Sequence, residues 1–264
     1  MPEIIFWQDS FKLKYPNYLF LWLRNNNEKC LLATVMMMAA TAVYAEPTAM
    51  LKVHGTLTSA GCVPEISNGG VADFGEVGLD SLSSGVAYQA GHKDVTLTIT
   101  CQSATRVGWT IKDDRKDSNA GAHKTSSEFH VDNATASGAQ AYGDYQLNGV
   151  GKTSAGESIG AYSVSTYMNA VTADGATVQP IAAAMYTGGT ISSRSWINLW
   201  ATGILTNDGT DVMTVAKTGE RAPLAFTTAA FPLKIALAIA PSKNLTLTDR
   251  TDLDGQSTIT LVYL

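Results

Sequence analysis

Period-two alternation runs through the chain. Val95, Leu97, Ile99 and Cys101 alternate with Thr96, Thr98 and Thr100. Successive side chains of an extended strand point to opposite faces, so this spacing predicts one apolar row on a core and one threonine row towards solvent. Val107, Trp109 and Ile111 repeat the pattern after a short gap. Leu233, Ile235, Leu237 and Ile239 repeat it against Lys234, Ala236, Ala238 and Ala240. The chain closes on Ile259, Leu261 and Tyr263, alternating with Thr258, Thr260, Val262 and Leu264. A weaker row, Ala49, Leu51, Val53 and Leu57, lies near the front.

Convincing helical periodicity is absent. Turn chemistry is frequent instead: Ser67-Asn68-Gly69-Gly70, Asn148-Gly149, Ala173-Asp174-Gly175, Asn207-Asp208-Gly209 and Asp254-Gly255. Short strands between such turns predict an all-β chain folded as a β-sandwich. Two segments interrupt the rhythm and are predicted insertions. The first, at about 113–143, is polar and rich in Ser, Ala, Gly and Asn, which suits a functional or mobile loop. The second, at about 169–222, contains Tyr186, Trp196 and Trp200. Neither an internal repeat nor a dividing linker is visible, so residues 46–264 read as one domain.

Residues 1–45 follow a different order. Lys29 precedes a largely apolar run from Cys30 to Ala40, and Val43-Tyr44-Ala45 places small residues at −3 and −1 of a cleavage site before Glu46. That is the order of a secretory signal, with an extended or misassigned front from Met1 to Arg24. Residues 46–264 then retain two cysteines, Cys62 and Cys101, and an even pair in an exported protein reads as one disulfide.

Composition narrows the partners. The 264 residues carry a net charge of −5, and no Lys/Arg cluster exceeds two adjacent residues. A surface that tracks phosphates is not expected, so nucleic acid is set aside. No run of 18 apolar residues exists to make an ordinary membrane-spanning helix.

Motifs that could carry catalysis fail on context. Gly156-Glu157-Ser158-Ile159-Gly160 spells the nucleophile-elbow pattern, which needs a strand–turn–helix setting and a later histidine. The last histidine is His130, upstream of Ser158, and Ile159, Ala161 and Ser163 continue as a strand. Gly149-Val150-Gly151-Lys152-Thr153 resembles the tail of a phosphate loop, but Gln146 stands where its first glycine belongs. Asp252, Asp254 and Gly255 suggest part of a calcium loop, yet Arg250 takes the first ligand position and Leu261 the closing one. His54, His92, His123 and His130 show no metal-ligand spacing with cysteine. No catalytic residue, metal ligand or cofactor is therefore assigned. Tyr186, Trp196 and Trp200 could form a stacking platform for sugar rings, although aromatic residues at this density more often pack a sheet.

The two ends of the chain carry a resemblance. Val53-His54-Gly55-Thr56-Leu57 precedes Cys62, with a glycine seven positions before that cysteine. Val71-Ala72-Asp73-Phe74-Gly75 and Val95-Thr96-Leu97-Thr98-Ile99-Thr100-Cys101 follow. Together with Ile259, Leu261 and the penultimate Tyr263, these resemble pilin subunits of the chaperone–usher type. A closer similarity is to a fimbrial-like family of Gram-negative exported proteins of largely unassigned function. It is carried by Leu147–Gly151, Ile159–Tyr162, Lys217–Glu220, Phe231–Leu233 and Val262–Leu264, and spans nearly all of 46–264.

The resemblance implies an immunoglobulin-like sandwich that lacks its last strand and is completed by a strand from elsewhere. It implies a periplasmic chaperone and an usher as partners, then neighbouring fimbrial subunits. Ile259, Leu261 and Tyr263 would lie on the terminal strand that the chaperone contacts, and Ala49, Leu51 and Val53 on the donor segment. The expected function is a non-catalytic fibre subunit, exported to the periplasm and then the cell surface. The alternative is a stand-alone exported adhesin-like protein that binds a host glycan through its insertions.

Overall fold

The computed structural model describes residues 61–186, 190–191, 196–199, 202–247 and 250–264, with no side chains described from 184 to 191. Thirteen strands occur among the described residues. They are β1 (Cys62–Ile66), β2 (Tyr88–Thr105), β3 (Val107–Asp113), β4 (Asn148–Gly149), β5 (Gly160–Thr166), β6 (Thr172–Ala173), β7 (Ala176–Thr177), β8 (Gln179–Tyr186), β9 (Thr190–Ile191), β10 (Ile197–Asn198), β11 (Asp211–Ala216), β12 (Phe226–Ile239) and β13 (Ser257–Tyr263). One sheet runs β1-β2-β12-β5-β4 with the β6–β7 hairpin on its flank, and the other runs β10-β8-β11-β3-β13 with β9 beside β8. Every strand pairing is antiparallel. The fold is thus all-β, with two sheets in a sandwich-like arrangement.

Each alternating row that falls among the described residues marks a strand, but the central ones are longer than the pattern indicates; the row of Ala49, Leu51, Val53 and Leu57 lies outside them. β2 has 18 residues and β12 has 14, because the two pair from Phe226↔Thr105 to Ile239↔Tyr88. Ladder bonds to a neighbour extend a strand past the point where its alternation stops. The sheets meet at Trp109 of β3 and Phe231 of β12. Their rings pack edge to face with centroids 5.5 Å apart, the arrangement that aromatic quadrupoles favour. Asp174 (φ 47°) and Gly175 (φ 80°) form the β6–β7 turn, whose two left-handed positions match the hairpin's twist.

Burial on β12 inverts the usual expectation. Lys234, which faces away from the space between the sheets, is 4% exposed, and Ala236 and Ala238 on the same face are fully buried. Ile235, which faces that space, is only half-buried. The outer face is covered by the first insertion. Phe129, Val131, Ala141 and Leu147 form a second apolar cluster there with Ala161 of β5 and Ala236 and Ala238 of β12. Small side chains let the covering segment approach the sheet closely.

The first insertion, read from sequence as a functional or mobile loop, therefore has a packing role. Asn119 donates to the Leu147 carbonyl (2.8 Å), Asn207 to the Asp144 carbonyl (2.9 Å), and the Ser165 hydroxyl to the Ala134 carbonyl (2.8 Å). Side-chain amides and hydroxyls thus satisfy backbone groups that no ladder reaches.

Gly160 shows how tight this face is. A Cβ at that position would stand 2.3 Å from the Ala238 carbonyl oxygen. Gly160→Ala is expected to lower stability by about 1–3 kcal/mol, as overpacking does. The denaturation midpoint with an unchanged slope measures it; a midpoint equal to the parent's would show that the β5–β12 contact yields.

Candidate functional site: an open groove between two sheet edges

The groove begins at the strand edges. Among the described residues β1 pairs with β2 alone, and β13 with β3 alone. These two edges lie together, since the Cys62 N–H donates to the Tyr263 hydroxyl at 2.9 Å. The interior behind them is open, with a cavity of about 1260 Å³.

Its floor is the inward row of the sandwich. Leu233, Ile235, Leu237 and Ile239 of β12 lie beside Val95 of β2 and Val164 of β5, with Ile111 of β3 and Ile259 of β13 opposite. Alternation on five strands aims these side chains inward, and among the described residues no strand lies between β1 and β13 to cover them fully. Two irregular segments wall the opening. One contributes Phe74, Val77 and Leu82, and the other Leu247 and Leu253. Asp73, Glu76, Arg250 and Asp252 sit among these wall residues, so an apolar floor has a charged rim.

Tyr162 lines the groove from β5 and bonds to the Ser257 hydroxyl at 2.6 Å. Burial pushes its phenol well above the ordinary range, so it stays protonated. Asp113 sits at the end of β3, where its carboxylate accepts the N–H groups of Gly149 (2.9 Å) and Arg115 (2.8 Å). Desolvation raises its pKa, with the two backbone bonds acting against that shift. Both oxygens are engaged by the backbone, which is a structural use of the carboxylate.

One wall is latched by Glu157. Its carboxylate accepts from the Thr246 N–H (2.9 Å) and hydroxyl (2.7 Å), and from the Thr153 hydroxyl. These bonds, the Thr153 hydroxyl foremost, hold Glu157 below its ordinary pKa. A lowered carboxylate pKa stabilises the fold above the unfolded-state value and loses that contribution as pH falls through the folded value. Glu157→Gln is expected to lower the protection of amides around Thr246, relative to their intrinsic exchange rate, at neutral pH, and acidification of the parent below the ordinary carboxylate range should lower that protection too. Equal exchange at Thr246 in parent and variant would show that Glu157 latches nothing.

The residues singled out from sequence fall in separate places. Cys62 and Cys101 form a disulfide across directly paired positions of β1 and β2. Ile259 and Leu261 on β13 pack against the core, and Tyr263 reaches Cys62. Ala49, Leu51, Val53 and His54 lie outside the described residues, as do Trp200 and the side chain of Tyr186. Trp196 is half-buried.

Ser158 bridges Lys152 across a tight turn and leads into β5, a strand, so the nucleophile-elbow setting is absent there. Asp252 pairs with Arg250 (3.0 Å) and Asp254 with Arg115 (2.7 Å). His123 pairs with Asp144 (2.9 Å) and His130 lies near Asp132 (3.4 Å). Among the described residues no group of three or more His, Cys, Asp or Glu is placed to hold a metal, and no helix is long and apolar enough to cross a membrane. The wall residues Val77, Leu82 and Leu253 escaped the sequence reading, and Phe74 and Glu157, though part of quoted motifs, were given no role at a groove. The wall residues come from irregular segments without a period, and only their apolar character amid turn residues hinted at burial.

A family described as proteins of unknown function, DUF1120, matches residues 51–163. The chain is also similar to the uncharacterized protein YhcF of Escherichia coli (strain K12). Identity is 32% over 245 residues, covering 90% of this chain and all of the relative. The chain belongs to the DUF1120 family. A second similarity to this DUF1120 protein is that of the protein GltF of the same strain, at 27% identity over 257 residues, 91% of this chain and 98% of the relative. The DUF1120 match covers β1 to β4 and enters β5.

Proposed function

We propose that this protein is a non-catalytic structural subunit of a fimbria-like surface fibre, completed by a strand from another polypeptide. The observation that carries the proposal is the groove. Ile235 faces inward from the central strand yet is half-buried, above a cavity of about 1260 Å³ that opens between the edges of β1 and β13. An uncovered sheet edge beside an apolar groove invites aggregation. Strand addition resolves both problems, because the added backbone pairs with the edge while alternate side chains fill the groove.

In this proposal a periplasmic chaperone lends the first strand, along β13 at Ile259, Leu261 and Tyr263. At an usher, a neighbouring subunit's N-terminal segment replaces it; Ala49, Leu51 and Val53 are the equivalent segment of this chain. The Cys62–Cys101 disulfide supports export, since such bonds persist in oxidising compartments.

Amide exchange tests the reading. A synthetic peptide of residues 46–58, or a strand of a co-expressed periplasmic chaperone, is expected to slow exchange along β13. A protein whose β13 amides exchange equally slowly with and without either strand would overturn it.

A second reading, a glycan-binding surface protein, is favoured by Tyr142 and Tyr145. Both are exposed, Tyr142 in the first insertion and Tyr145 just after it, where the Asn207 N–H donates to the Tyr145 carbonyl at 3.1 Å. Exposed aromatic faces suit sugar rings. A glycan array bound by the parent and lost on Tyr145→Ala would support it; a blank array covering host glycans would count against it.

A further inference from the structure

Lys234 occupies an unusual position. It stands in the middle of the central strand β12, is 4% exposed, and lies beneath the first insertion. Its Nζ donates to the Asn133 Oδ1 (2.9 Å) and to the Thr135 carbonyl (3.0 Å). Both partners are neutral. A buried ammonium whose direct partners carry no charge is costly, and its nitrogen is driven towards the neutral, nucleophilic form. Desolvation lowers the Lys234 pKa accordingly, with Asp94 opposing.

The electrophile is presented with equal definition. Asn133 holds a left-handed backbone (φ 49°) between Asp132 and the buried Ala134. Its carboxamide carbon lies one bond behind the oxygen that Nζ contacts, while the residue itself is exposed, which leaves a path for a small leaving group. Asp94 sits opposite Lys234 in the β2–β12 register and accepts the Tyr167 hydroxyl at 2.8 Å.

We propose that Lys234 and Asn133 become joined by an intramolecular isopeptide bond that fastens the first insertion to the sheet. The Lys234 ammonium passes one proton, through a solvent water, to the exposed Asp94 carboxylate, which frees the nitrogen lone pair. Nζ then attacks Asn133 Cγ, and the Nζ–Cγ bond forms. On collapse the Cγ–Nδ2 bond breaks. The departing nitrogen takes a proton from Nζ and the one held by Asp94, and leaves as ammonium. Nothing is oxidised or reduced, and Asp94 is regenerated. Holding both groups in one fixed geometry replaces a bimolecular amide exchange by an intramolecular one. The inference does not depend on the fibre reading, because it concerns the outer face of the sheet and not the groove.

Tandem mass spectrometry of the reduced, denatured and trypsin-digested protein reads the bond directly. The expected product is residues 125–152 linked to residues 222–243, uncut after Lys234 and lighter than the two peptides together by one ammonia. Asn133→Asp should give the same link with loss of water instead. Lys234→Met, with a side chain of similar length, should give linear peptides only. Should that variant fail to fold, Asn133→Gly keeps the left-handed backbone and removes the electrophile. Parent protein that yields free peptides ending at Lys234, with Asn133 at full mass, overturns the proposal.

Discussion

Attaching residues 46–58 behind Leu264 through a flexible linker is expected to raise the melting temperature by more than about 10 °C. The segment presents Leu51, Val53 and Leu57 in alternation, and each such side chain contributes roughly 1.5–3 kcal/mol when fully buried. Ile235 and Ile259, now partly uncovered, are buried in the same step. Three side chains therefore supply about 5–9 kcal/mol, and in a domain of this size each kcal/mol moves the midpoint by about 2–4 °C. Attachment makes the strand addition intramolecular, which spares the loss of translational freedom that a free peptide would suffer. A permuted segment of the same composition but broken alternation is the control and should give little change. No rise with the native segment, together with a stable monomeric parent, would mean that the groove does not admit this strand, and the glycan-binding reading would lead.

Removing the disulfide should have the next largest effect. Replacing Cys62 and Cys101 together by alanine is expected to cost about 4 kcal/mol, which follows from the chain entropy of a closed loop of this length. The sequence separation is 39 residues. The midpoint should fall by about 8–16 °C. The position of the bond sharpens the expectation. β1 has five residues, pairs only with β2 among the described strands, and leaves Val63 66% exposed. Besides the bond, this edge is held by its five-residue ladder to β2 and by the Cys62–Tyr263 hydrogen bond, and it forms one border of the groove. The doubly substituted protein should therefore regain part of its loss when the donor segment is attached. Melting in the presence and absence of reductant gives the parent's own measure. A parent indifferent to reductant after full reduction would show that β1 stays docked through its ladder alone.

The alternating rows alone determined four of the strand segments and which of their side chains face inward. Val95–Cys101, Val107–Ile111, Leu233–Ile239 and Ile259–Tyr263 are strand segments because a period of two is a local property, set by the pleat of each strand. The cysteine pair was legible for another reason: read as exported, residues 46–264 hold two thiols, which have only each other.

The tertiary structure decided what lies over each face. Lys234 and Ile235 are neighbours on one strand, and nothing in their spacing tells that the lysine is buried and the isoleucine partly open. That depends on the first insertion, which folds onto the outer sheet through alanine contacts and amide-to-backbone bonds that leave no periodic trace. The groove was equally hidden. It exists because β1 and β13 end the two sheets on the same side with no strand between them among the described residues, a relation among elements far apart in the chain. Glu157 became a latch only when Thr246, 89 residues away, was brought against it. Periodicity reports the orientation of a residue within its own strand; coverage of that residue depends on long-range contacts.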